Sequence, residues 1–238
     1  SWNKYCKLSR PMTLDRAATS DTAHWHRPHR GEHRWPVSIV VLLVITMQYL
    51  LPGSLSLALQ SQICFIEASL LLVIFLVNPR RISQHLVSIR VLTIVLITIM
   101  SLSNTASAIK LIDSIISKGV TDAGSLFLTG GSIWLTNVVV FGLWFWELDR
   151  GGPGNRAQAK HPYPDFLFPQ MSDSRYAPSG WHPNFFDYLY TSFTNASAFS
   201  PTDVMPLTRW AKMLMLFQSI TALLMLGLVI ARAVNILR

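Results

Sequence analysis

From Pro36 onward the chain alternates long apolar runs with short polar breaks. A helix that crosses a bilayer core needs roughly 20 mostly apolar residues. The first run, PVSIVVLLVITMQYLLPGSLSLAL, covers 36–59 and carries Pro52-Gly53 inside its end. A second, ICFIEASLLLVIFLV, covers 63–77, stops at NPRR, and is short enough that flanking polar residues should extend it. A third covers 91–109 and trails into a half-polar stretch to about Lys118; a fourth covers 126–146 and a fifth 210–237. The pattern predicts an all-α integral membrane protein of about five transmembrane helices.

Between the fourth and fifth runs lies a loop of unusual length. Pro153, Pro162, Pro164, Pro169, Pro178 and Pro183 argue against regular structure before 183. Beyond it, Phe185, Phe186, Leu189, Tyr190 and Phe193 recur at helical spacing, with Pro183 and Asp187 suited to a first turn. A short re-entrant or interfacial helix is therefore expected near 184–196. Ser200-Pro201-Thr202-Asp203 then reads as the start of the last helix, with Ser200 as cap, and Pro206 as a restart or kink. Four regions result: a basic, His-rich N-terminal region over 1–36 expected to lack order, a membrane region over 37–148, a Pro-rich loop over 149–183, and a helix–turn–helix module over 184–238. Residues 1–11, ahead of Met12, are set aside from the fold reading. Ser56-Leu57-Ala58 looks like a leader cleavage site, but the polar region before the first run is too long for a leader.

Composition agrees with this class. Half of the 238 residues are hydrophobic and 13% are charged, against about 25% in soluble domains. The net charge of +8 sits beside apolar runs, which favours topology control over nucleic-acid binding. With the N-terminus placed inside, all but four of the 20 Lys and Arg residues (Lys110, Lys118, Arg232 and Arg238) fall on the cytoplasmic side, together with the long loop. Cys6 and Cys64 imply no disulfide, and Cys64 reads as a small buried residue. The tract HWHRPHRGEH, with His24, His26, His29 and His33, has no zinc-site spacing and reads as a tail attracted to anionic lipid. No metal site and no cofactor is expected.

Polar residues inside the runs carry the candidate chemistry. Glu67 in the second run is a proton or cation site or a structural carboxyl, with Asn104 and Asn137 as candidate partners. Thr98, Ser101, Thr105 and Ala108 form one small polar face in the third run, suited to close helix approach or to a water-lined path. Ser219, Gly227 and Ala231 form another in the fifth, suited to packing within the bundle or between subunits. Trp134, Trp144, Phe145 and Trp146 read as interfacial anchors. WELDRGGPG reads as a helix terminus with local pairing of Glu147, Asp149 and Arg150. HExxH, GxSxG, Walker and dinucleotide patterns are absent from the sequence, so no enzyme is expected.

The order of short aromatic helix, turn, Asp, Pro and long apolar helix resembles the pore module of two-helix potassium channels. With Ser192 as the pore-helix serine, Asp203 and Pro206 fall where that family has its filter aspartate and following proline, and Lys212 agrees too. The filter itself would lie on Ser197-Ala198-Phe199-Ser200-Pro201-Thr202, which has no glycine. Potassium filters use glycines to align backbone carbonyls, so potassium-type selectivity is not implied. The family also feeds its filter from outside, whereas the charge pattern puts this loop inside.

FWELDRGGPG, DFLFPQM and DYLYTSFTNASAFSPTDVMPL are similar to a family of uncharacterised bacterial multi-pass membrane proteins. That resemblance implies a bacterial inner-membrane location and no mechanism. The reading is an oligomeric, ion-channel-like pore-loop protein passing a monovalent cation, with Ser197, Phe199, Ser200, Pro201, Thr202 and Asp203 at the constriction. The alternatives are a non-conducting scaffold or accessory subunit that uses PDFLFPQM for contacts, or a small-solute or proton-coupled transporter centred on Glu67. The lipid bilayer and further copies of the chain are the expected partners.

Overall fold

The computed structural model describes residues 24–51, 58–77, 81–82, 87–118, 122–178, 180–197 and 203–236. Eight α-helices run through them: α1 (Trp35–Tyr49), α2 (Gln60–Val77), α3 (Val87–Asp113), α4 (Ala123–Leu148), α5 (Pro153–Ala157), α6 (Pro169–Ser172), α7 (Phe185–Ser197) and α8 (Arg209–Ile236). Among the described residues, α2, α3, α4 and α8 are long and apolar enough to cross a membrane. The expected first span is different. α1 has Pro36 in its first turn but only 15 residues, about 22 Å of helix. Its chain turns at Leu50, and 52–57 lie outside the described residues.

The exposed side chains explain the membrane class. Ile39, Leu42, Phe65, Leu72, Leu102, Phe217, Leu223 and Ile230 all point away from the bundle. In water such a surface would be unstable; in a bilayer it faces acyl chains. α4 is the centre: 67% of its apolar window is buried, against 22% to 33% for the other three long helices. α1, α3, α7 and α8 pack around it, and α2 packs on α1 and α3.

Two glycines bring helices close. A Cβ on Gly130 would sit 2.7 Å from Cγ2 of Val229 in α8, and one on Gly142 would sit 3.2 Å from Cα of Leu189 in α7. Both helices therefore ride on α4 where it has no side chain.

α4 starts at Asp122, whose carboxylate accepts from the N–H groups of Gly124 and Ser125. It ends as expected at WELDRGGPG, where Arg150, Gly151 and Gly152 all take positive φ. α3 swallows the half-polar stretch and closes in a π-helical turn over Ser114–Lys118. Its buried polar residues are Ser103, Asn104 and Ser107; of the expected row, Ala108 is buried. Thr98 and Thr105 are exposed, and with Ser101 they donate back to carbonyls one turn earlier. In α8 the packed face is Ala211, Met215, Gln218, Ala222, Met225, Val229 and Ala233; Gly227 and Ala231 face outward.

Two short antiparallel pairings hold the loops. β1 (Glu32–His33) pairs with β2 (Arg81–Ile82), and β3 (Phe166–Leu167) pairs with β4 (Met205–Pro206). Of the N-terminal region expected to lack order, residues 24–36 are thus built into the fold. The Pro-rich loop also differs from expectation. It carries α5, α6 and β3, and Phe166 and Phe168 of PDFLFPQM are core residues.

Candidate functional site

One end of the bundle gathers the charged residues into a buried base. α5 begins at Pro153 directly after the glycine break and turns Arg156 inward beneath α4. The Arg156 guanidinium donates through Nη1 to the Trp146 and Asp149 carbonyls and through Nη2 to Glu32 Oε1 at 3.0 Å. It lies over the Tyr188 ring, 5.0 Å from the centroid. The other oxygen of Glu32 accepts from Trp146 Nε1 at 2.8 Å and from the backbone N–H of Phe185 at 3.1 Å. One carboxylate therefore binds α4, α5 and the positive N-terminus of α7. Trp146, expected at an interface, is buried in this junction.

Two aspartates complete the base. Asp149 Oδ1 accepts from the N–H groups of Asp165 and Phe166, at 2.9 and 3.3 Å. Its Oδ2 accepts from the Tyr188 hydroxyl at 2.6 Å and stands 3.5 Å from Arg150 Nε. Asp165 accepts from the Arg150 N–H at 2.8 Å and from Trp210 Nε1 at 3.0 Å. Its backbone carbonyl accepts from Leu207 N–H at 2.8 Å. The expected local pairing is thus half right: Asp149 meets Arg150, while Glu147 faces Arg90 of α3 at 3.5 Å. His29 stacks on His182 with ring centroids 3.8 Å apart, and its Nδ1 accepts from Gly31 N–H. Burial first, then His182, Arg156 and Arg150, lower its pKa from 6.5 to about 4. The histidine tract is therefore partly structural.

α7 rises from this base between α4 and α8. Asn184 and Asp187 cap it reciprocally: Asn184 Oδ1 accepts from Phe186 N–H, and Asp187 Oδ2 accepts from Asn184 N–H. Its polar side is bonded inside the chain. Ser192 Oγ donates to the Val138 carbonyl at 2.6 Å, and Gln218 Nε2 donates to Ser192 Oγ at 2.7 Å. Asn195 Nδ2 donates to Gln218 Oε1 and to the Met215 carbonyl, while Ser219 Oγ donates to Asn195 Oδ1. The opposite side, Phe186, Tyr190 and Phe193, is exposed.

The expected constriction residues fare unequally. Ser197 ends α7, half-buried, with its hydroxyl on the Thr194 carbonyl. Phe199, Ser200, Pro201 and Thr202 lie outside the described residues. Asp203 is exposed at a bend, and α8 begins six residues later at Arg209. Asp203 therefore does not cap α8: the chain after it is held extended by β4 against β3, and that pairing overrides the local helix-start signal. Pro206 lies in β4 and kinks nothing.

Glu67 is fully buried as the eighth residue of 18 in α2, near the middle of that helix at about 10 Å from its start. Neither carboxylate oxygen has a hydrogen-bond partner among the described residues. Asn104 and Asn137 are buried in α3 and α4, and neither bonds to it. The base cluster escaped the sequence reading because Glu32 and Arg156 lie 124 positions apart. The reciprocal cap at Asn184 and Asp187 did have a signal, an Asn three residues ahead of an Asp.

No family model, no curated protein and no solved structure matches the chain.

Proposed function

We propose that the chain is a pore-loop membrane protein: copies of it assemble so that their 197–203 segments line a shared path for monovalent cations, without potassium-type selectivity. One observation carries this reading. The start of α7 and the β4 segment are both tied to the same buried base, through Phe185 on Glu32 and Leu207 on Asp165. Between these ties, α7 extends about 20 Å along α4, and Met205 of β4 stands eight residues beyond Ser197, the last residue of α7. A helix whose start and whose following strand are tied to one base supports the reading of a re-entrant loop. The exposed face of Phe186, Tyr190 and Phe193 leaves α7 a side on which neighbouring copies can close a ring. The arginine-rich end faces the cytoplasm, by the rule that basic residues stay inside.

The segment 197–203 holds no glycine and includes Pro201. It cannot align carbonyls as a potassium filter does, so selectivity would rest on Ser and Thr hydroxyls and on Asp203. In the alternative scaffold reading, contacts would fall on the rest of the long loop, since Phe166 and Phe168 of PDFLFPQM are core residues.

Reconstitution of the purified protein into liposomes tests the proposal. Cation flux should appear with the wild type, fall with Asp203→Asn, and change with Pro201→Gly. Flux that neither variant alters removes the loop from the path.

A further inference from the structure

We propose that Glu67 is a proton-binding site whose carboxyl takes up and releases a proton inside the membrane, exchanging with the end of the bundle where Gln48 and Gln60 meet. The proposal is independent of the pore-loop reading.

A buried carboxyl with no partner is costly, and an uncompensated charge there costs more. A proton on one oxygen removes the charge, which makes the neutral acid the form suited to this site. Among the described residues no cation hydrogen-bonds to Glu67. α2 carries no other charged residue, and α1 carries none. α3 carries Arg90, Lys110 and Asp113, and Arg90 lies at the arginine-rich end facing Glu147. Arg34 precedes α1 at that same end, Tyr49 is exposed at the other, and Cys64 is the remaining titratable group beside Glu67.

The inward face of α2 reads Gln60, Cys64, Glu67, Leu71, Ile74, at steps of three and four. On one side of Glu67 this face carries Cys64 and then, at the end of the helix, Gln60. Gln60 Nε2 meets Gln48 Oε1 at 3.4 Å and Cys64 Sγ at 3.7 Å, and Cys64 Sγ meets the Ile45 carbonyl at 3.9 Å. Gln48 Nε2 and Gln60 Oε1 are buried without partners, so one free donor and one free acceptor remain there for water. On the other side the α2 face itself is apolar, and Leu71 and Ile74 line a cavity of about 30 Å³ shared with Val41, Leu96 and Leu143 and, from α1 and α3, with Arg34, Ser38 and Thr93, room for about one water. The polar file gives the proton its route to one membrane surface.

In the exchange, a hydronium ion at the glutamine pair hands its proton along water past Cys64 to a Glu67 oxygen: a hydronium O–H bond breaks and leaves water, a carboxyl O–H bond forms and the carboxylate charge is lost; release reverses this. Carbodiimide chemistry reads the protonated form. The acid proton moves to a carbodiimide nitrogen, the carboxyl oxygen adds to the central carbon, and the adduct rearranges to a stable N-acylurea. The wild-type protein in liposomes is treated with dicyclohexylcarbodiimide between about pH 5 and about pH 9, and adducts are mapped by mass spectrometry. Adduct at Glu67, falling as pH rises, is expected; no adduct at Glu67, or a yield indifferent to pH, overturns the proposal. Infrared titration of the same protein should show a carboxylic-acid carbonyl band that Glu67→Gln removes and Glu67→Asp retains. Gln60→Leu should keep that band but slow its response to a pH jump. An unchanged response would overturn the route.

Discussion

The hydroxyl of Tyr188 donates to Oδ2 of Asp149 at 2.6 Å, joining the first turn of α7 to the end of α4 with both side chains fully buried. The bond fixes the depth at which α7 sits, because Asp149 is held in turn by Asp165 and Phe166. Tyr188→Phe leaves Asp149 one donor short in a dry site and should cost about 1–3 kcal/mol. Thermal unfolding in detergent measures it. An unaltered midpoint would mean that α7 is seated by packing alone.

Glu32 is the more demanding position. Its removal strands the Arg156 guanidinium, the Trp146 indole N–H and the Phe185 N–H together. Glu32→Ala should therefore cost more than Tyr188→Phe, about 3–5 kcal/mol, the range for breaking a buried pair from one side. Comparing the two midpoints checks the order.

Gly142 tests the contact of α7 with α4. Its Cβ position lies 3.2 Å from the Leu189 backbone, so Gly142→Val must displace α7, at about 1–3 kcal/mol. Gly131, one helical turn beyond Phe127, has nothing within 4 Å of its Cβ position. Gly131→Ala should be neutral or stabilising by up to about 1 kcal/mol. Proteolysis of the 197–203 segment should accelerate in the first variant and not in the second.

His29 sets a pH dependence with a definite sign. Its folded pKa, about 4, lies below the ordinary 6.5, so the unfolded chain binds the proton more readily. The stability it contributes is complete above about pH 6.5 and is lost as pH falls toward 4. Unfolding midpoints measured across this window should decline toward acid, and His29→Gln should flatten the decline.

The helical runs were legible because burial and bilayer both demand apolar residues at regular spacing; α4 and the WELDRGGPG break follow directly from that demand. The aromatic helix was legible for the same reason, its end at Ser197 lying one residue past the expected range of 184–196. The buried base was not. Periodicity tells which face of a helix is inward and says nothing of which partner waits there, and Glu32, Asp149, Asp165 and Arg156 meet only after the chain has closed. The helix start expected at Ser200-Pro201-Thr202-Asp203 failed for a related reason. Local cap chemistry is worth about 1 kcal/mol, and the tertiary pairing of Met205 and Pro206 with Phe166 and Leu167 takes precedence. The anchoring role expected for Trp146 likewise gave way to a buried carboxylate that no local pattern announces.

The central claim is that the segment from Phe185 to Leu207 enters and leaves the membrane at one surface. Single cysteines at His182, Asp203 and Asn235, in a chain with Cys6→Ser and Cys64→Ala, test it with a membrane-impermeant thiol reagent applied to sealed vesicles of known orientation. The account predicts that His182→Cys and Asp203→Cys are labelled from the same side and Asn235→Cys from the other. Labelling of Asp203→Cys from the side opposite to His182→Cys would contradict it.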